Sequence, residues 1–531
     1  MAHPARRGVR SADARSTATL CRRHRMPRLG RGVGGCGRVG LDRVSVGSPS
    51  RRVSVWAPLA ATCLGQFMVV LDATIVNVAL PAMRRGLDLS TSDLQWVVNA
   101  YLLTLGGLIL LGGRLGDHFG RKRVYLLGGL IFSAASLAGG VAPDGVWLLA
   151  ARAVQGVGAA LLAPGSLSLL TSAYTEPRAR TRALAVWGMA SASGGALGVL
   201  LGGTLTDVLG WRSVLFVNVP LGILVLVLGG IALPRIARTE RSARRLDVPG
   251  ALTVTAALTA LVYGVVETES YAWGSTRSLV VFAIAGALFA TAGVIESRAS
   301  NALIPFAILR RGPVATATTM MLIHGAVVTA TIYFQSLYLQ QVRGYSPFDT
   351  GLLMMPFVVV AIATPIFTSS LTTRYGPRFV AIAGLVVETG GVVWLSRWGA
   401  HGSILTQVVL PSMLFNFGGS ICFLSMSVLL TAEMDSEHSG LGAGLFNAGR
   451  QVGGSIGLAA LTVIAAAHTR SLLSAHHGAI AAADARGYGV ALLTGAGLLG
   501  VGILVVAAHT NRRRVRTAVG VDAESQPVGL A

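Results

Sequence analysis

Lysine is almost missing from this chain: of its 44 basic side chains only Lys122 is a lysine, and Arg123 follows it. A phosphate-gripping loop of the form G-x-x-x-x-G-K-[ST] is therefore absent, which excludes an ATP-driven pump housed in this chain. Charge of either sign is scarce, at 12% of residues, where a soluble domain carries about 25%. The four cysteines, Cys21, Cys36, Cys63 and Cys422, show no metal or disulfide spacing. No metal and no cofactor are expected. No His-Glu-x-x-His occurs either, and an enzyme is not expected.

What the chain has in quantity is apolar length. It is 53% hydrophobic over 531 residues, with a mean hydropathy of +0.64. Apolar runs recur that are each long enough to cross a hydrocarbon core of about 30 Å. Their continuity, without period-two alternation, excludes a β-barrel. The runs fall at about 56–80, 95–113, 124–142, 147–171, 183–206, 212–233, 248–266 and 278–296, then 314–338, 350–370, 379–396, 404–431, 441–466 and 487–508. The expected fold class is an all-α polytopic membrane protein with about fourteen transmembrane helices.

The formal charge of +22 would point to nucleic acid in a soluble protein. Here the arginines sit in tails and alternate loops, so the expected partner is a lipid bilayer and not nucleic acid. Residues 1–52 hold thirteen arginines, two acids and no apolar run. They are expected to form a disordered cytoplasmic tail, with contact to anionic lipid as the functional alternative. One set of alternate loops carries Arg114/Arg121/Lys122/Arg123, Arg178/Arg180/Arg182, Arg235/Arg238/Arg241/Arg244/Arg245, Arg298/Arg310/Arg311 and Arg374/Arg378, and the C-tail carries Arg512/Arg513/Arg514/Arg516. By the positive-inside rule both termini are cytoplasmic. The acidic loop around Glu433–His438 breaks the trend without overturning it. Arginine in place of lysine indicates a GC-rich bacterial genome and hence the bacterial inner (plasma) membrane.

An internal repeat is also visible. GRLGDHFGRKRVYLLG after the second run aligns with SSLTTRYGPRFVAIAG after the tenth, matching Gly120 to Gly376, Phe119 to Tyr375, Lys122 to Arg378 and Val124 to Val380. An offset of eight helices fits two six-helix halves, residues 53–235 and 301–510, separated by an inserted pair within 236–300, with a C-tail at 511–531. Repeated halves with a site at their interface are a common transporter plan.

Several stretches resemble a known family. Gly113-Arg-Leu-Gly-Asp117-His-Phe-Gly120-Arg121-Lys122-Arg123 resembles the loop signature of the major facilitator superfamily, and Arg152-Ala-Val-Gln155-Gly156-Val-Gly158 resembles its fourth-helix motif. Leu71-Asp72-Ala-Thr-Ile-Val-Asn77-Val-Ala-Leu-Pro81, Trp211-Arg212 with Asn218-Val-Pro220-Leu-Gly222, and Asn447-Ala-Gly-Arg450-Gln-Val-Gly-Gly454 resemble the fourteen-helix drug:proton antiporter branch. The resemblance implies the major facilitator fold and a functional monomer. It implies export of drugs or other amphipathic or cationic small molecules in exchange for protons. A narrow exporter of one self-made metabolite or antibiotic is the alternative, and a transporter-like sensor or lipid-handling protein is the rival from another class. One position departs from the family: its fifth-helix motif reads Gly-Pro-x-x-Gly-Gly, whereas here Val199 replaces the proline in Gly198-Val199-Leu-Leu-Gly202-Gly203. The kink that a proline would force is therefore lost.

Within this frame particular residues carry the expected mechanism. An acid inside a membrane helix costs about 2.5–3.5 kcal/mol on insertion scales and marks a function by default; Asp72 is the first such acid. Counting about 1.5 Å per residue along their helices puts Asp72 and Arg152 at similar depth. The resemblance implies that Arg152 assists proton transfer. Glu388, in the middle of the eleventh run, is a second proton or cation-substrate candidate with no charged neighbour in sequence. Asn77, Gln155, Asn447, Arg450 and Gln451 are candidates for the substrate cavity, and Arg450 should face the interior or pair with an acid. Gly113, Asp117, Gly120, Arg121 and Lys122 form the expected conformational latch. Gly194, Gly198, Gly202 and Gly203 form a small-residue seam for close helix approach.

Overall fold

Among the described residues, fourteen helices are long and apolar enough to cross a membrane. The computed structural model describes residues 56–509 apart from 175, 234–246, 269–270, 272–273, 299–311, 400, 433–438 and 476–479, and no strand occurs among the described residues. The two tails and the acidic loop around Glu433–His438 lie outside them. The helices are α1 (Trp56–Leu87), α2 (Thr91–Phe119), α3 (Arg121–Gly140), α4 (Gly145–Ala173), α5 (Pro177–Leu209), α6 (Asn218–Ala232) and α7 (Val248–Glu267). They continue as α8 (Thr276–Arg298), α9 (Gly312–Leu337), α10 (Pro347–Tyr375), α11 (Pro377–Leu395), α12 (Leu410–Ala432), α13 (Ser439–Ala475) and α14 (Ile480–His509). A single helical turn, Ser213–Phe216, leads into α6, and π-helical turns extend α9 and open α12.

Short polar signals punctuate the apolar runs. Ser90 caps α2 through a reciprocal pair: its Oγ accepts from the Asp93 amide at 3.1 Å, and Asp93 Oδ2 accepts from the Ser90 amide at 3.1 Å. Asp144 accepts from the Trp147 amide at the start of α4, and Ser346 from the Asp349 amide at the start of α10. Each satisfies a donor that the first turn leaves open. The repeated loop holds Gly120 at φ 101° and Gly376 at φ 84°, backbone that side chains with a Cβ rarely adopt. One helix thereby ends and the next begins within a single residue.

The repeat extends to packing. In the first half α1 packs on α5, α3 on α4, α2 on α4, and α6 on both α1 and α3. At an offset of eight, α9 packs on α13, α11 on α12, α10 on α12, and α14 on both α9 and α11. The basic residue of the repeated loop does the same work twice. Lys122 Nζ donates to the carbonyls of Gly230 and Leu233 at 2.8 and 2.7 Å, and Arg378 donates to the carbonyl of Ala507. Each cation thus caps open carbonyls at the C-terminal end of the last helix in its half. Helices α7 and α8 pack on each other, and α7 also lies against α2 and α13.

Two seams join the halves, α2 with α13 and α5 with α10. A Cβ at Gly203 of α5 would lie 2.3 Å from the Pro347 carbonyl, and one at Gly351 of α10 would lie 2.8 Å from the Val199 carbonyl. At the same end Ser336 donates to the carbonyl of Asn77 and Gln340 to that of Val78. Nearer its start α5 leaves Gly188 and Met189 exposed, and α10 leaves Ile366, Phe367 and Leu371 exposed near its finish. The bundle is sealed between halves at the end that holds Leu209 and Pro347.

The glycine seam of α5 has a specific load. A Cβ at Gly194, Gly198 or Gly202 would come within 2.7, 1.9 and 2.7 Å of the Phe67 carbonyl, Thr74 Oγ1 and the Ile75 carbonyl of α1. These three glycines therefore let α5 lie flat on the stretch of α1 that carries Asp72, while Gly203 serves the seam to α10. Val199 is 1% exposed and α5 runs unbroken through it. Gly198→Val is expected to abolish the monodisperse peak of detergent-extracted protein on size exclusion. Gly195→Val, whose Cβ would meet only Val70 Cγ1 at 3.8 Å, should leave it intact.

Candidate functional site

A carboxylate taken from water needs its lone pairs filled by donors, and Asp72, fully buried on α1, finds three. Arg152 Nη1 of α4 donates to Oδ2 at 2.6 Å, Gln155 Nε2 to Oδ1 at 2.7 Å, and Asn218 Nδ2 to Oδ1 at 2.8 Å. The equal-depth argument from the sequence thus ends in direct contact. Arg152, 2% exposed, is itself fixed on several sides. Its Nε donates to the Val97 carbonyl at 3.0 Å, its Nη1 also to Gln155 Oε1 at 2.7 Å, and its guanidinium lies 4.4 Å from the centroid of the Tyr101 ring. Gln155 passes the network on to Ser136 Oγ of α3 at 2.6 Å. Five helices of the first half meet at one acid.

Three members of this cluster were not singled out as site residues from the sequence. Asn218 lies in a quoted motif and stands at the start of α6. Tyr101 and Ser136 carry no local signal and are selected only by the packing of α2 and α3. Gln155 was expected at the cavity; the structure places it, 1% exposed, inside the acid's own network. Asn77 is 6% exposed, and its Nδ2 is turned back onto the Ala73 carbonyl at 2.7 Å.

The second half holds a simpler pair. His324 Nδ1 of α9 lies 2.9 Å from Glu388 Oε1 of α11, with side chains 8% and 0% exposed. Glu388 thus has a titratable partner that sequence distance concealed. Gln451 of α13 lies against the inter-half seam, its Cβ 3.0 Å from where a Cβ at Gly106 would stand, while the Arg450 carbonyl meets Gly325 of α9 within the second half. Arg450 Nε is buried without a hydrogen-bond partner among the described residues, so no acid there answers it. Asn447 is on the same helix, one turn earlier. In the loop signature, Asp117 pairs with Arg121 at 3.0 Å, and Arg121 Nη1 donates to Ser172 Oγ of α4 at 2.7 Å. Both partners belong to the first half. A Cβ at Gly113 would meet Pro164 Cβ at 3.9 Å, an ordinary contact.

The letters Gly453-Gly454-Ser455-Ile456-Gly457 spell the Gly-x-Ser-x-Gly of a nucleophile elbow, which requires a sharp strand-to-helix turn. Here they lie inside α13, and Ser455 Oγ donates to Asn99 Oδ1 at 3.0 Å across the seam to α2.

Fourteen spanning helices, two packing repeats, and buried charge held between helices rather than at a surface define a polytopic membrane carrier. The Major Facilitator Superfamily profile matches residues 62–458. The puromycin resistance protein of Streptomyces alboniger is 36% identical over 84% of this chain and 89% of its own length. The multidrug resistance protein Stp of Mycobacterium tuberculosis is 36% identical over 79% of this chain and 77% of its own length. A bacterial homologue of the human lysosomal transporter Spinster, solved in an inward-facing and occupied conformation, superposes with a TM-score of 0.61 at 16% identity. That match covers 85% of this chain and 95% of the other. The chain belongs to the Major Facilitator Superfamily.

Proposed function

We propose that the chain is a proton-coupled exporter of drug-like, amphipathic small molecules across the bacterial plasma membrane, with both termini in the cytoplasm. The observation that carries this reading is the buried Asp72–Arg152 pair, because a membrane protein retains such a pair only where it is satisfied and used. Asp72 takes up a proton when Arg152 is drawn away and gives it up when Arg152 returns. In the conformation described here Arg152 sits on Asp72 at 2.6 Å, the proton-free arrangement. With cytoplasmic termini the sealed end faces outward, so this state opens inward to receive substrate.

Substrate would lodge between the halves, with Asn447, Arg450 and Gln451 of α13 as its candidate contacts; Gln451 is the one that meets α2, at Gly106. Similarity to a protein named for puromycin resistance favours a second reading of the same site, a narrow exporter of a self-made antibiotic. Everted vesicles test both readings. A panel of amphipathic drugs and antibiotics should accumulate only with an imposed proton gradient; many substrates indicate a broad exporter, and one indicates a narrow one. Accumulation that ignores the gradient would refute proton coupling.

A further inference from the structure

We propose that His324 and Glu388 form a second proton-binding site, holding one shared proton, so that two protons are exchanged per substrate rather than one. The inference rests on the coupling role proposed for Asp72, and the difference between the two pairs is what carries it. Arginine stays charged under all physiological conditions. The Asp72–Arg152 pair is therefore neutral when it holds no dissociable proton. Histidine titrates near neutrality, so the His324–Glu388 pair is neutral only when it holds one. Either neutral histidine faces a carboxylic acid or imidazolium faces a carboxylate. A bare carboxylate beside neutral histidine at this depth would be an unpaired buried charge.

The surroundings fit a site that loads and empties. Glu388 Oε2 has no hydrogen-bond partner among the described residues, whereas both Asp72 oxygens are filled. A permanently ionised glutamate would be poorly served there. A glycine pair on α12 makes the room: a Cβ at Gly418 would fall 2.2 Å from the Glu388 amide nitrogen, and one at Gly419 would fall 3.1 Å from His324 Cε1 and 3.3 Å from Glu388 Oε1. The Phe423 ring stands 6.5 Å from the imidazole and packs in turn on Phe446 of α13.

Among the described residues, no other carboxylate or cation pairs with either side chain. From α12 comes only the buried Cys422 thiol. From α13 comes Arg450, which meets α9 through its backbone at Gly325. Beside the pair, helix α14 meets α9 through Gly495 against Val327 and Gly502 against Met320 and Ile323, a stretch without titratable side chains, and its Tyr488 stacks on Phe334 ten residues further along α9. From α10, Asp349 lies at the sealed end beside its cap Ser346. Among the described residues the two ionisable side chains thus answer each other.

Purified protein reconstituted in vesicles gives the test, with protons released and substrate moved counted together. Wild type should exchange about two protons per substrate. Glu388→Gln, which keeps the shape and a hydrogen bond to His324, should halve that ratio while transport continues through Asp72. An unchanged ratio in Glu388→Gln, with exchange intact in wild type, overturns the second site and leaves the coupling role of Asp72 standing. Proton movement absent from wild type overturns the coupling reading itself. A purely structural role for the pair would lower the melting temperature of Glu388→Gln without changing the ratio, and that result also overturns the proposal.

Discussion

Asp72→Asn is expected to abolish proton-driven export while leaving the protein folded and able to bind substrate. The asparagine keeps the volume, and its one oxygen can still accept from Arg152, while its amide nitrogen takes the place of the oxygen that accepted from Gln155 and Asn218. What disappears is the only group in this cluster that gains and loses a proton, since its partners Arg152, Gln155 and Asn218 are all fixed donors at 2.6–2.8 Å. Charge-assisted bonds of this length are roughly twice as strong as neutral ones, so opening the cluster requires the proton to neutralise the acid. Asp72→Glu keeps the chemistry but lengthens the arm in a fully buried site, and should retain part of the activity. Substrate-induced proton release in vesicles at matched expression is the measurement. Undiminished release in the asparagine variant would remove Asp72 as a required carrier and move the role to Glu388.

The helices were legible in the sequence because the bilayer imposes length and continuity on each of them. The repeat was legible too, since Gly120 and Gly376 answer to a backbone requirement that few residues meet. Motif residues such as Asp72 and Arg152 announced themselves by the cost of charge in hydrocarbon. His324 did not, because one histidine in an apolar run looks like any core histidine until α11 brings Glu388 against it from 64 residues away. Lys122 shows the same limit: its ammonium meets carbonyls at the end of α6 more than 100 residues on. Long-range pairing of this kind follows from which helix faces which, and a single sequence does not contain it.

Removing the base is expected to do more damage than removing the acid. In Arg152→Gln the carboxylate of Asp72 remains at 0% exposure with only amide donors, an uncompensated buried charge. Breaking a buried ion pair in this one-sided way costs about 3–5 kcal/mol, a large share of a typical folding stability of about 5–15 kcal/mol. The double variant Asp72→Asn with Arg152→Gln contains no charge and should recover most of that loss. Detergent-solubilised melting temperatures would then rank wild type first, the double variant close behind, and Arg152→Gln well below. Arg152→Lys separates charge from geometry. A lysine restores a cation, but one ammonium cannot reach Asp72, Gln155 and the Val97 carbonyl together while lying flat on Tyr101. It should melt near wild type and still transport poorly, because the planar fork that lets one side chain hold and release the acid is gone. A double variant no more stable than Arg152→Gln would show that the charge of Asp72 is not what Arg152 answers.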